Sequence, residues 1–198
     1  MDYASLKSTV LDWIARTDIS DVVFEGFVTI IEQTISAELK CFDIEDVFSA
    51  TPVLASNGFT ALKLPADFRE ARVVTFNNKP LMYIEPQKFM SDKYNNGFTI
   101  ISGNMYFGNG NSSSYPAVNV TYYKRIPHIN TENLTNVVID KYPNLYLFGC
   151  LREAYLYISD TEKADLMDTR FTRSLEEARY DADTAAYSGS VLTPLPEG

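Results

Sequence analysis

The spacing of apolar residues changes twice along this chain, and these changes constrain the fold more than any other feature of the sequence. In residues 3–15 and 22–39, apolar side chains recur every three or four positions, which is typical of amphipathic helices. From about Phe48 the apolar runs become short and alternating, as in strands. Helical spacing returns from Tyr142 onward. The sequence therefore predicts two helices, a β region and two further helices.

This order predicts an α+β fold, mainly a helical bundle with an inserted small antiparallel β subdomain. The expected bundle comprises residues 1–47 and 140–188, the β subdomain residues 48–139, and a flexible C-terminal tail residues 189–198. With 45% hydrophobic residues, the chain can bury a core without disulfides or metals. No apolar run reaches the ~18 residues that a membrane span needs, and the basic and apolar regions of a signal peptide are missing.

Residues at the expected helix ends carry start signals. Asp2 is the predicted N-cap of the first helix, and Ser20 or Asp21 that of the second. Pro143 fits the first position of the third helix, and Asp160 caps the last. The last helix has the most regular apolar stripe in the chain: Ala164, Met167, Phe171, Leu175, Ala178, Ala182 and Ala185.

The middle region predicts short strands separated by turns. The expected strands are Phe59–Leu64, Arg69–Phe76, Pro80–Ile84, Phe98–Ile101, Met105–Phe107 and Val118–Ile126. Turn residues lie between them, and Pro86 opens a predicted short helix. Residues 108–116 are polar and rich in glycine, which indicates an exposed loop.

Charge is distributed unevenly. Residues 1–46 hold 10 acidic and 3 basic side chains, residues 47–139 hold 5 and 8, and residues 140–198 hold 11 and 6. The net charge of −9 therefore comes from the helical parts. Sequence-independent DNA binding needs clustered Lys and Arg to replace phosphate counterions. Because the chain has no such cluster, we expect no tight DNA binding.

The sequence contains no pattern that selects a catalytic, metal or cofactor site, so we predict no catalytic residue, no metal and no cofactor. His128 is the single histidine, which excludes a two-histidine metal site within one chain, and we expect it in an exposed loop. Cys41 and Cys150 are expected to be buried free thiols. The tyrosines 122, 123, 142, 146, 155 and 157 are either core residues or part of a protein interface.

Several short segments resemble a known family. They are the opening helix Tyr3–Ile14, the turn Leu64–Glu70, the strand Gly103–Phe107, and the run Val120–Pro127 followed by Tyr142–Ala154. On these segments the chain resembles the head-to-tail adaptor (connector, or head-completion) proteins of tailed bacteriophages. The glycine- and serine-rich loop at residues 108–114 is longer than this family leads us to expect.

The resemblance implies a structural virion protein rather than an enzyme. Such proteins assemble in the host cytoplasm as a homo-oligomeric ring, usually a dodecamer, in the neck between capsid and tail. The implied partners are the portal protein and a tail nozzle or tube protein, and DNA passes through without specific binding. The tail residues implied to dock on the portal are Val191, Leu192, Pro194 and Leu195. The candidate acidic face lining the channel consists of Glu176, Glu177, Asp181 and Asp183.

Two other functions remain open from the residues alone. A glycan-binding virion module would use exposed tyrosines and the loop at residues 109–112. A hydrolase would use a pair of carboxylates held about 5–10 Å apart across a cleft. Nothing in the sequence selects such a pair.

Overall fold

The computed structural model describes residues 1–40, 44–55, 59–76, 78–91, 97–108 and 117–187. The helices are α1 (Tyr3–Trp13), α2 (Asp21–Glu38), α3 (Pro86–Ser91), α4 (Val137–Lys141), α5 (Pro143–Tyr157) and α6 (Thr161–Tyr187). The strands are β1 (Glu45–Ala50), β2 (Val53–Leu54), β3 (Thr60–Lys63), β4 (Phe68–Phe76), β5 (Lys79–Pro80), β6 (Met82–Tyr83), β7 (Gly97–Ile101), β8 (Asn104–Phe107) and β9 (Val118–Lys124). The predicted α+β class is confirmed, with two sheets between the N-terminal and C-terminal helices.

The two N-terminal helices begin at predicted caps. The Asp2 carboxylate accepts a hydrogen bond from the Ser5 backbone N–H at 2.8 Å, and Ser5 Oγ accepts one from the Asp2 backbone N–H. At the start of α2, Ser20 rather than Asp21 is the cap, because its hydroxyl accepts a hydrogen bond from the Val23 N–H. Such caps satisfy N–H groups that the helix leaves unpaired, typically worth ~1 kcal/mol each.

The middle of the chain forms two sheets. The four-stranded sheet has the order β1-β9-β4-β5, and the five-stranded sheet has the order β2-β3-β8-β7-β6. Residues of both sheets share one apolar cluster: Leu62, Leu64, Val74, Phe98, Met105, Phe107, Val118, Val120 and Tyr122. Burial of this cluster is the main favourable contribution to folding here, at about 25 cal/mol per Å² of apolar surface.

One predicted strand is divided in the structure. The run predicted over Pro80–Ile84 contributes β5 to the first sheet and β6 to the second. β6 pairs with β7 in parallel, whereas the other pairings in the described residues are antiparallel. The antiparallel prediction is therefore wrong for this pair, since a parallel partner across a connection leaves no local signal in the sequence.

The predicted hairpin of β7 and β8 is confirmed. The backbone conformation of its turn accounts for the glycine found there. Ser102 and Gly103 both have positive φ angles, 49° and 74°. Two consecutive left-handed residues match the right-handed twist of the flanking strands. Glycine adopts this conformation without steric cost, which accounts for Gly103.

The C-terminal helices follow the sequence signals except for one short helix. α5 begins at Pro143 as predicted, and the Asp160 carboxylate accepts a hydrogen bond from the Lys163 N–H at the start of α6. The α6 stripe is buried from Ala164 to Ala182 and half-buried at Ala185. The five-residue helix α4, capped by the Asn136 side chain, was not predicted because it is too short to show a period.

The chain divides into two compact units. Met1–Ile44 and Ile126–Gly198 form one, here called the helical unit, and Glu45–Arg125 form the other, here called the β unit. The helical unit contains α1, α2, α4, α5 and α6, and the β unit contains the strands and α3. Among the described residues, no helix combines the length and apolarity that crossing a bilayer requires.

Candidate interaction surfaces

The four candidate acidic residues of α6 lie on two different flanks of the helix. All four are exposed. Glu176 and Asp183 are seven residues apart, about two turns, and share one flank, whereas Glu177 and Asp181 are four residues apart and share another. Glu177 and Asp181 line the same cleft at the start of α5. The candidate acidic face is therefore two surfaces with different surroundings.

The cleft beside Asp181 has a volume of about 260 Å³ and lies between the start of α5 and the middle of α6. The Tyr142 hydroxyl donates a hydrogen bond to Asp181 Oδ2 at 2.7 Å, and Lys141 Nζ lies 3.2 Å from the same oxygen. The hydrogen bonds from Tyr142 and Lys141 lower the pKa of Asp181. Burial, reinforced by the bond to Asp181, raises the pKa of Tyr142 to about 12. Asp181 is thus committed to a contact within the chain.

His128 is not the exposed loop residue that the sequence predicted. It is half-buried between two carboxylates of α2, with Nδ1 2.5 Å from Glu32 Oε2 and Nε2 3.3 Å from Glu25 Oε1. The two ring nitrogens point in different directions, so the ring and both carboxylates do not converge on one ion. Within the described part of the chain, no group of three His, Cys, Asp or Glu side chains can hold a metal.

Glu32 is the centre of a polar cluster, here called the Glu32 cluster, made of Glu32, His128, Ile129, Asn136 and Tyr146. The buried Glu32 Oε1 accepts hydrogen bonds from the Ile129 N–H at 3.0 Å and from the Tyr146 hydroxyl at 3.1 Å. The Tyr146 hydroxyl accepts one from Asn136 Nδ2 at 2.8 Å. The cluster therefore joins α2, α5 and the segment between β9 and α4.

Burial and pairing shift the pKa values of Glu32 and His128 in opposite directions. Burial raises the pKa of Glu32, although the hydrogen bonds from His128 and Ile129 oppose this. Burial lowers the pKa of His128, but the hydrogen bonds and charges of Glu32 and Glu25 outweigh it, so the pKa of His128 is raised overall. The pairing favours an imidazolium held against a buried carboxylate. The Glu32 cluster thus stabilises the packing of α2, α5 and the segment between β9 and α4.

The sequence did not reveal this cluster because its members are far apart in the chain. Glu32 is 96 residues from His128 and 114 from Tyr146. The only available signal was Glu32 itself, a carboxylate between two apolar residues of the α2 stripe, Ile31 and Ile35. By residue type alone, a glutamate at this position is expected on the polar face of the helix.

The tyrosines are divided between core and surface. Tyr122, Tyr146 and Tyr155 are buried, whereas 55% of Tyr157 is exposed. Trp13, at the end of α1, is 48% exposed, and its backbone oxygen accepts a hydrogen bond from the Tyr155 hydroxyl at 3.4 Å. The core interpretation is confirmed for Tyr122, Tyr146 and Tyr155, and the interface interpretation stays a prediction.

Several predicted site residues lie outside the described residues. They are Cys41, the loop at residues 109–112, and the tail residues Val191, Leu192, Pro194 and Leu195. Cys150 is described, and it is a buried free thiol whose pKa is raised by burial.

Comparison with known families decides the class of protein. The family model described as SU10 adaptor protein matches residues 1–194, which include the helices of the helical unit and both sheets. The chain belongs to the SU10 adaptor family. The resemblance to phage adaptors is thereby confirmed. A search of curated proteins finds no match.

Membership of the SU10 adaptor family establishes the coarse function. The protein is a phage structural adaptor, and its role is structural rather than catalytic. An adaptor works by binding other virion proteins. The interaction surfaces of this SU10 adaptor are therefore its functional sites.

Proposed function

We propose that the protein forms a homo-oligomeric ring, a dodecamer, in the neck of the phage particle. The ring joins the portal protein to a tail nozzle or tube protein and leaves a channel through which DNA passes. The observation that carries the proposal is the match of the SU10 adaptor family to residues 1–194. Formation of the ring, its copy number and its two partners are the proposed part.

We further propose that the flank of α6 bearing Glu176 and Asp183 faces the channel. Both side chains are exposed, and Asp165 shares their flank because it is eleven residues, about three turns, before Glu176. Carboxylates at a channel wall repel DNA phosphates over roughly 8–10 Å in physiological salt, so the DNA slides without binding. The flank bearing Asp181 is the weaker candidate, since Lys141 neutralises that carboxylate.

The C-terminal tail is the proposed contact with the portal. Its apolar residues Val191, Leu192, Pro194 and Leu195 follow a helix that ends at Tyr187. A segment with few apolar residues gains order when a partner covers them, which couples its folding to binding. The tail is therefore expected to contribute to attachment and not to the stability of the helical unit.

Co-sedimentation with the portal protein of the same phage tests the proposal. The full chain should migrate with the portal at about one copy per portal subunit, the number expected when two rings of equal symmetry stack. Deletion of residues 189–198 should abolish co-migration. The matched control is deletion of residues 197–198, which keeps all four apolar tail residues and should leave attachment unchanged. Separation of the folded full chain from intact portal would contradict the proposal.

Neither alternative function is supported by an observation on the described residues. The loop of the glycan-binding hypothesis lies outside them. For the hydrolase hypothesis, three carboxylates of the helical unit are held by partners in the chain: Glu32 by His128, Asp181 by Lys141, and Glu177 by Arg173. Structural pairing accounts for them.

A further inference from the structure

One cleft of the β unit is lined by two cations and by no carboxylate. It lies where β3 ends and β4 and β8 begin, beside the residue that follows β9, and its volume is about 330 Å³. The residues that line it all belong to the β unit, and the charged ones among them are Lys63 and Arg125. This cleft, here called the basic cleft, therefore has the charge of a site for an anionic group.

Both cations of the basic cleft lack a partner within the described part of the chain. Lys63 and Arg125 are exposed, and neither side chain forms an ion pair or a hydrogen bond with a described residue. By contrast, the neighbouring Lys124 is paired, with its Nζ 3.7 Å from Asp46 Oδ2. The charges of Lys63 and Arg125 are therefore available to a group from another molecule.

Backbone hydrogen bonds hold the walls of the basic cleft in place. The Arg125 N–H donates a hydrogen bond to the Asp67 carbonyl oxygen at 2.7 Å, and the Leu64 N–H donates one to the Gly103 carbonyl oxygen at 3.1 Å. The Asp67 carboxylate accepts a hydrogen bond from the Tyr122 hydroxyl at 3.1 Å. The cleft is therefore preformed, and the carboxylate of its turn is engaged by Tyr122.

Apolar residues also line the basic cleft, namely Leu64, Pro65 and Phe68. Leu64 is buried, and Phe68 is half-buried with its ring stacked on Tyr122 at a centroid distance of 5.4 Å. An ion pair beside such surface is screened less by water than one on open surface. The ligand that fits best is therefore a carboxylate next to an apolar side chain. DNA fits less well, because its phosphates need a larger cluster of cations and make no use of the apolar wall.

The helical unit of a second copy has the complementary charge. The helical unit holds 20 acidic and 9 basic side chains, whereas the β unit holds 6 and 8. Charge therefore favours contacts between copies in which unlike units meet, and it opposes contacts between two helical units. A second copy is the occupant that the charge distribution of this chain favours.

The first turns of α6 present a carboxylate and an apolar side chain together. Glu162 is exposed and forms no ion pair with a described residue. Leu166 follows four residues later on the same face and is 51% exposed. By helix geometry, Glu162 lies about 21 Å along the axis from Glu176, and Leu166 points about 80° around the axis from it. This face is therefore distinct from the flank that we assign to the channel.

We propose that the start of α6 in one copy binds in the basic cleft of the next copy. Glu162 pairs with Lys63 and Arg125, and Leu166 packs against the apolar wall. Because the two surfaces differ, the contact is heterologous, and its repetition adds copy after copy until a ring closes. The inference deepens the proposed ring by assigning a contact between copies, and it rests on that self-assembly.

The strength of the ion pair decides how the contact is best detected. An ion pair at a protein surface is worth at most about fivefold in affinity, and salt screens it. Its main effect is to determine which surfaces meet. A test should therefore detect the paired residues themselves rather than the affinity between copies.

Cross-linking of the full chain with a carbodiimide tests the proposal. This reagent joins a lysine amine to a carboxylate when the two are in contact, and mixing isotope-labelled with unlabelled copies distinguishes links between copies from links within one copy. Mass spectrometry should find Lys63 of one copy joined to Glu162 of another, both in the concentrated protein and in the protein bound to portal. Lys63→Arg keeps the charge but lacks the amine, so it should remove this link and leave assembly intact.

The chain offers matched controls for this assay. Lys79 and Lys88 are exposed lysines of the β unit that lie outside the basic cleft, and they should give no link to Glu162. Glu162→Lys alone should abolish the link at Lys63 and weaken assembly. Lys63→Glu combined with Glu162→Lys exchanges the two charges and should restore both the link and the assembly.

Three results would overturn the proposal. The first is the absence of a link between Lys63 and Glu162 of different copies. The second is an equal yield of links to Glu162 from Lys79 or Lys88, which would show random collision. The third is a link from Lys63 to another carboxylate of the chain or to the portal protein, which would assign the basic cleft to that occupant.

The outcome is separable from that of the proposed function. A link between Lys63 and Glu162 of different copies, together with failure to co-sediment with the portal, would exclude the neck role and leave the contact between copies standing. Co-sedimentation without this link would exclude the contact alone.

Discussion

Glu32 is the buried carboxylate through which α2 holds the segment between β9 and α4. A buried carboxylate is costly to desolvate and is tolerated when it is paired and hydrogen-bonded. Glu32 has three such partners from two other segments, His128, Ile129 and Tyr146. Glu32 therefore ties the segment that follows β9 to α2 and, through Tyr146, to α5.

Replacement of Glu32 should destabilise the helical unit far more than replacement of Glu25. Glu32→Ala leaves the Tyr146 hydroxyl and the Ile129 N–H without their buried acceptor, for an expected loss of about 2–5 kcal/mol. Glu25→Ala removes only the more exposed partner of His128, so a loss below about 1 kcal/mol is expected. Denaturant unfolding followed by the fluorescence of Trp13, the single tryptophan, measures both. Equal losses would contradict the central position of Glu32.

The stabilising effect of His128 should decrease as the pH rises. Its pKa is raised above the ordinary value of 6.5 by Glu32 and Glu25, which together outweigh burial. A histidine with a raised folded-state pKa contributes stability below the unfolded-state pKa, and this contribution is lost as the pH rises through the folded-state pKa. The difference in unfolding free energy between the natural chain and His128→Gln should therefore be larger near about pH 6 than near about pH 9. A constant difference, or one that widens with pH, would contradict the ion pair.

Local residue signals were predictable, whereas contacts between distant residues were not. Asp2, Ser20 and Asp160 cap helices as their residue types suggested, because capping depends on neighbours within three positions. The surroundings of His128 and the division of the acidic residues between two flanks depend on which elements pack together. The carboxylates could be identified in the sequence, but the sequence did not show which residues pair with them.

At the scale of elements, α2 packs closely against α5 at a position where α5 has no side chain, Gly149. A Cβ at Gly149 would lie 2.8–2.9 Å from three side-chain atoms of Ile31, which is buried on α2. Atoms at that distance overlap, so either the Ile31 side chain or one of the two helices would have to shift. Gly149 is therefore the small residue that permits the packing of these two helices.

A methyl group at Gly149 should separate α2 from α5. Gly149→Ala is expected to destabilise the helical unit by about 1–3 kcal/mol through overpacking against Ile31, despite the better helix propensity of alanine. Gly26→Ala is the matched control, because a Cβ at this exposed position of α2 meets no atom within 4 Å, and a gain of about 0.5–1 kcal/mol is expected. Urea unfolding of the two variants measures the contrast. Stabilisation by Gly149→Ala would contradict the close approach.

The long helices were predictable from periodicity, whereas the short elements α4 and β2 were not, and β6 was predicted only as part of one longer strand. The apolar stripe of α6 correctly predicted which face of the helix is buried, because 27 residues contain many repeats of the helical period. α4, β2 and β6 are five residues or fewer, so tertiary contacts rather than local pattern decide their conformation. These short elements are the ones that carry the edges of the five-stranded sheet and the entry to α5.

At the scale of the whole molecule, we expect the charge of the α6 flank that bears Glu176 and Asp183 to affect the rate of DNA passage. Glu176→Lys with Asp183→Lys should slow genome ejection, since cations on the channel wall attract phosphates, and the slowing should weaken as salt is raised. Asp12→Lys with Glu132→Lys makes the same change in net charge at exposed positions away from this flank and should leave ejection unchanged. Ejection kinetics of particles assembled with each variant provide the measurement. Equal kinetics for the two double variants would contradict a channel position for this flank.

The central claim is that this SU10 adaptor forms the ring that joins portal to tail. Cryo-electron microscopy of the neck in intact particles tests this claim most directly. We expect a ring of copies directly beneath the portal, with α6 beside the channel and density for the tail of each copy against a portal subunit. A neck filled by other proteins, with this chain located elsewhere in the particle, would contradict the account.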